Sequence, residues 1–345
     1  MGDVNKDMES FKNNINNQDP IAQMIKARAV LAPMAGVTDI PFRLMARKFG
    51  CEFAFTEMID INGIIYNNRK TFNLMRRIEQ DLPLGIQLVG EDSDKMLRVA
   101  KICAEKGYRV IDVNAGCPVR KVTKAGKGSA LLKEPRKLSE MIKKLVKGLD
   151  VAVTLKIRSG WDENSKNYLK IAEIAEQEGV RAICVHPRTQ AAMYKGRADW
   201  DVIAEVKEKL SIPVFASGNI FKASDASDVV HHTGCDAVFV ARGALGKPWI
   251  FDDIKRYFSG DTEQRTPGFS EIKDIISRHF NMAIEIYEEG LALRRMYKYI
   301  TWYLKSFKNL DMVMKEYRKA KNKKEADIFM ERLLLNEKNR MFFGE

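Results

Sequence analysis

A chain of 345 residues with 45% hydrophobic and 30% charged side chains can bury a sizeable core, which excludes a disordered or low-complexity protein. No apolar run approaches the roughly 18 residues of a membrane-spanning helix, and five irregularly spaced cysteines without a CxxC pair argue against both a disulfide scaffold and a zinc site. The formal net charge of +12 points to a polyanionic partner such as nucleic acid.

In chain order, residues 1–20 are expected to form a polar extension; they lack the apolar stretch of a leader, so a cytoplasmic location is expected. Short apolar, β-branched runs then recur at 29–32, 53–56, 84–88, 110–113, 151–157, 182–185, 213–216 and 237–240. Between most of them lies helical spacing, as in Met96, Val99, Ala100, Cys103 and in Leu138, Met141, Ile142, Leu145. Apolar strands alternating with amphipathic helices imply a parallel sheet covered on both faces. Eight such units predict an α/β fold, a (β/α)8 TIM barrel over residues 21–258. A turn-rich linker follows at 259–269, and 270–345 is expected to be a smaller all-helical domain.

Chemistry in such a barrel belongs at the C-terminal strand ends. Those ends carry Pro33 and Met34, Glu57 and Met58, Gln87, Asn114 with Cys117, Lys156 with Arg158, His186 with Arg188, Gly218 with Asn219, and Arg242 with Gly243. A ring of polar ends predicts one large polar site. Glycine-rich turns at 217–219 and 241–246 suit a phosphate, to which Arg242 adds charge. Lys156, projecting into the mouth, needs a partner: an electron-rich flavin ring, or a salt bridge to Asp112 or Glu57. Cys117 lies beside an amide and ahead of several cations, whereas Cys51, Cys103, Cys184 and Cys235 have apolar or helical surroundings. The segment 124–129 lacks the residue order of a P-loop and is read as a basic lid, with Lys121, Lys124 and Lys127 facing a nucleic acid. Beyond the linker, Arg294, Lys298, Lys305 and Lys308 fall near one side of a helix. Tyr297, Tyr299, Trp302 and Tyr303 are interleaved with them, as for RNA with splayed bases.

Five stretches, at 31–39 (Leu-Ala-Pro-Met-Ala-Gly-Val-Thr-Asp), 114–122, 154–161, 186–189 and 241–251, resemble the bacterial tRNA-dihydrouridine synthases, in order and over about 29–304. Ala115 and Ser217 stand where that family often has methionine and asparagine. The resemblance implies an FMN-dependent oxidoreductase that reduces the uridine C5–C6 bond in the D-loop of tRNA, with NADPH or NADH as reductant. It implies Cys117 as the general acid that protonates C5. It implies flavin contacts from Pro33, Met34, Ala35, Gln87, Lys156 and His186, and from Gly218, Asn219, Ala241, Arg242 and Gly243. Asn114, Arg158, Arg188 and Thr189 are expected near the uridine, and Arg294, Arg295, Lys298 and Lys305 on the tRNA. No metal and no obligate protein partner are expected, with a monomer as the default. Two other readings stay open: a dihydroorotate dehydrogenase-like barrel for a free pyrimidine, and a non-catalytic RNA-binding protein.

Overall fold

Runs of apolar residues with no alternating polar face can be buried only where both faces of a strand are covered. In the computed structural model, which describes residues 18–306 and 310–335, eight such runs form parallel strands that close into one barrel in chain order. They are β1 (Ala29–Leu31), β2 (Phe53–Asp60), β3 (Leu84–Val89), β4 (Val110–Ala115), β5 (Ala152–Arg158), β6 (Ala182–His186), β7 (Val214–Ser217) and β8 (Ala237–Val240). The seam closes with Leu31 opposite Val240. β2 runs past its apolar stretch to Asp60, across a register shift between Phe55 and Met58.

Alternate strand positions fill the barrel. Phe53, Phe55, Phe215 and Phe239 pack in its lower interior, with neighbouring ring centroids 5.4 to 5.7 Å apart. A helix absent from the sequence-based expectation, Pro20–Ala27, closes the bottom with Ile21 and Met24. Asp19 caps it by accepting from the Ile21 N–H, and Pro20 occupies its first turn, where no N–H is needed. The other positions face the outer helices, so the interior is packed below and opens at the C-terminal rim. His231 and His232 end the helix Ala223–Thr233, whose C-terminus is closed by Gly234 in the left-handed region.

Beyond the barrel helix Ile250–Phe258, the described chain is helical at Phe269–Ile286, Glu289–Tyr303, Leu310–Tyr317 and Lys323–Leu335. This region docks on the helix Ile40–Lys48: Phe42 stacks on Tyr299 at 5.5 Å and lies 6.2 Å from the His279 ring. Arg43, buried below, ion-pairs with Asp81 at 2.6 Å. The aromatics expected to stack on bases are therefore partly spent: Tyr299 and Tyr303 are core residues. Tyr297 and Trp302 are half-buried, with Trp302 edge-on to Tyr299. Residues 1–17 of the extension expected over 1–20, Lys308 and the final residues of the expected helical domain lie outside the described residues, while Pro20 already begins the plug helix. Among the described residues, no helix is long and apolar enough to cross a membrane.

Candidate active site

The C-terminal strand ends enclose a cavity of about 390 Å³. Every residue expected to contact the flavin, from Pro33 to Gly243, lines it, together with Asn114, Cys117 and Arg158. Glycine leaves the room on one side: a Cβ at Gly243 would collide with the Ile220 carbonyl, and one at Gly218 would press on the His186 ring at 3.0 Å.

The cavity is strongly electropositive. His186 is held well below its usual imidazole value by burial and by Lys156, Arg158, Arg188 and Arg242, so it is neutral at pH 7. Of the two partners weighed for Lys156, the salt bridge is not formed: among the described residues no carboxylate comes within ion-pair distance of it. Its nearby contact is the buried Cys184 thiol. Lys156 feels the Asp112 carboxylate only at longer range, and a cation lining the cavity without a direct ion pair fits an electron-rich ring or a phosphate. Arg242 sits between the Tyr194 ring at 5.0 Å and the Phe221 ring at 5.5 Å, which fixes its plane and leaves its edge free. These features fit FMN: a glycine cradle and Arg242 for the phosphate, and Lys156 with Gln87 for the ring.

Cys117 is the one cysteine of five that is not buried. Burial pushes Cys51 up to about 11 and Cys103 and Cys184 up to about 12, which leaves them inert. The Cys117 thiol is also raised, first by desolvation, with the Val119 backbone and Arg158 acting in the other direction. Its loop is fastened at both ends. Asn114 Oδ1 accepts from the N–H groups of Gly116 (3.1 Å) and Cys117 (2.8 Å), while the Cys117 carbonyl accepts from Ser129 N–H at 3.1 Å and its hydroxyl at 2.9 Å. Gly128, at φ +61°, makes that approach possible, since a Cβ there would lie 2.8 Å from the Cys117 oxygen.

Several residues assigned to the RNA have other duties. Lys127 is 6% exposed and bridges Asp60 (2.9 Å) and Glu91 (3.4 Å), because two carboxylates at the end of β2 and beyond β3 need a cation. The expected lid is thus a pinned support under Cys117, and only Lys121 and Lys124 stay exposed. Arg158 lines the cavity but spends its guanidinium on the carbonyls of Gly116 (2.8 Å), Thr189 (2.9 Å) and Met193 (2.6 Å). Arg188 and Thr189 do not line it. Arg188 donates to Lys195 O, Gly196 O and Asn219 Oδ1, and Thr189, 1% exposed, bonds Glu163 and the Ala192 N–H. Arg295 and Lys298 turn toward the barrel: Arg295 pairs with Asp39 at 2.8 Å, Lys298 donates to the Gly36 carbonyl, and Tyr299 donates to Val37 O at 2.7 Å. Arg294 and Lys305 remain exposed. Tyr194, not anticipated from sequence, overhangs the mouth half-exposed, with Arg158 and Arg242 against its ring. Its only sequence signal is a large aromatic in the loop after β6.

The helical region therefore grips the loop after β1, which forms one wall of the cavity. Arg295→Ala leaves Asp39 buried without its cation, and the expected cost is about 2 kcal/mol in urea unfolding.

The family model described as Dihydrouridine synthase (Dus) matches residues 30–339. The chain is 41% identical over 281 residues to tRNA-dihydrouridine synthase B of Vibrio parahaemolyticus, covering 81% of this chain and 87% of that one. It is 37% identical over 309 residues to tRNA-dihydrouridine synthase B of Pasteurella multocida, covering 89% and 92%. Among solved structures, histamine dehydrogenase from Rhizobium sp. 4-9 superposes with a TM-score of 0.51 at 13% identity, over 74% of this chain and 49% of that one, a likeness of fold alone. The barrel, the strand-end cavity and these matches together place the chain in the dihydrouridine synthase family.

Proposed function

We propose that this protein reduces uridine in the D-loop of tRNA to 5,6-dihydrouridine, with FMN held in the strand-end cavity and NADPH or NADH as the reductant. The observation that carries the reading is the convergence, in one cavity, of a protonated thiol on a fastened loop and a cation held in no direct ion pair, Cys117 and Lys156. FMN, when bound, supplies the hydride that adds to C6 of uracil.

The uracil C5–C6 bond is conjugated with its C4 carbonyl, so addition at C6 places negative charge on C5 and O4. Cys117 donates its proton to C5, forming the C–H bond and leaving a thiolate that Arg158 stabilises until water restores the proton. Burial helps by keeping the thiol protonated before the reaction. Asn114 spends one amide proton on Gln87 and keeps the other for a carbonyl in the cavity. His186, being neutral, adds no further charge beside Lys156.

A free pyrimidine needs none of the basic surface around the mouth. Arg120, Lys121 and Lys124 follow Cys117 directly and are exposed, and Arg294 lies one turn from Lys298, which touches the rim at Gly36. Such a rim neutralises phosphates on either side of a base turned into the cavity. The test uses protein reduced by NADPH under argon and then mixed with tRNA. Return of the oxidised-flavin absorbance with tRNA lacking dihydrouridine, and not with fully modified tRNA, is the expected outcome; no return with either overturns the reading.

A further inference from the structure

Asp112 is 1% exposed on β4 and takes no part in the reaction described above. Its carboxylate has no ion-pair partner among the described residues. Oδ1 accepts from Thr154 Oγ1 at 2.7 Å, and Oδ2 accepts from Gln87 Nε2 at 2.6 Å. A carboxylate only accepts, so Gln87 has to present its amide nitrogen to Asp112 and its oxygen to the other side. There Gln87 Oε1 accepts from Asn114 Nδ2 at 2.7 Å. Asn114 is thereby left with its oxygen toward the loop, where it receives the N–H groups of Gly116 and Cys117. If Gln87 were reversed, Asn114 would set an NH2 group against two backbone donors, and the loop would lose its fastening.

We propose that Asp112 is the positioning residue of the proton donor: it sets the direction of a chain of amide hydrogen bonds that runs through Gln87 and Asn114 and fixes the loop carrying Cys117. The inference rests on reading Cys117 as the acid. β4 and β5 run in register here, with Asp112 beside Thr154 and Asn114 beside Lys156, so the same pair of strands aligns the network and the cation of the cavity. Burial lifts the Asp112 carboxyl to about 6, against the lowering by the Gln87 and Thr154 hydrogen bonds and by Lys156, so the carboxylate is an acceptor in the alkaline range where the thiol is tested.

Two substitutions that keep volume test direction rather than packing. Asp112→Asn retains an oxygen for Gln87 and can turn its amide to the Thr154 hydroxyl, which accepts as well as it donates. Thr154→Val removes the hydroxyl but leaves the carboxylate. Each alone is expected to slow reoxidation of the reduced protein by tRNA about 3-fold or less, whereas the double variant, whose introduced amide has no hydroxyl to turn to, is expected to lose about 30-fold more than the product of the singles. Reduction by NADPH is expected to stay within about 3-fold in the single variants and to fall at least about 10-fold less than reoxidation by tRNA in the double variant, where Gln87 also faces the flavin ring, since that step does not use Cys117.

The flavin-free proteins give a second readout, the rate and pH profile of Cys117 alkylation by iodoacetamide, expected to move about 5-fold or more in the double variant alone. Effects that simply multiply, equal alkylation rates, or the full loss already in Asp112→Asn overturn the inference. If the native protein fails to act on tRNA, the proposed function falls, while the alkylation series still decides whether Asp112 sets the loop.

Discussion

Cys117→Ala is expected to lower dihydrouridine formation in tRNA by roughly 10²- to 10⁴-fold, the usual contribution of a general acid, while the protein still binds FMN and is still reduced by NADPH. The split follows from where the residue stands. Cys117 lines the cavity and its backbone is fastened by Asn114 and Ser129, while its sulfur adds a contact to the Val119 backbone, so alanine keeps the main fastening of the loop and removes the proton. Single-turnover oxidation of the reduced protein by tRNA isolates the affected step. The pH profile carries a sign as well. An acid works protonated, and burial raises this thiol above its ordinary range, so the rate is expected to stay level through neutral pH and to fall only in the alkaline range. A rate that falls between pH 6 and 8 would point to another donor.

Arg158→Met is the second large effect. Arg158 is 2% exposed and joins the Cys117 loop to the two carbonyls of the loop after β6 that also carries Tyr194. Removing the guanidinium leaves three carbonyls short of a donor and strips the charge that favours the thiolate. A loss of about 3 kcal/mol in stability is expected, since each orphaned buried group costs roughly 1 kcal/mol or more. Dihydrouridine formation is expected to drop about 100-fold, as for a displaced catalytic group. Arg158→Lys recovers part of the charge but cannot span three carbonyls from one nitrogen. Thermal melting together with the single-turnover rate checks both parts; full activity in the methionine variant would show that the loop holds without it.

The eight strands were legible because a parallel strand buried on both faces has to be an unbroken apolar run, and the polar residues that end each run mark the rim. Lys156 and His186 could be located by that rule. What their surroundings do to them could not. The partners that remove Lys127, Arg295 and Lys298 from the RNA face are Asp60, Glu91, Asp39 and the Gly36 carbonyl, distant in sequence and brought close by barrel closure and helical docking. Helical spacing put Arg294 and Lys298 on one side but could not say that Lys298 meets the loop after β1. The plug helix Pro20–Ala27 was hidden by the polar stretch before it, though Asp19-Pro20 is an ordinary helix start. Asp112 looked like one possible counter-ion for Lys156; its neighbours Gln87 and Thr154 lie on other strands and become visible only in register.

The most direct measurement is nucleoside mass spectrometry on three substrates given separately to the FMN-loaded protein with NADPH: tRNA lacking dihydrouridine, free uridine and orotate. Dihydrouridine in the tRNA, with both small pyrimidines unchanged, is the predicted result. Turnover of a free pyrimidine with the tRNA left unmodified would contradict the account.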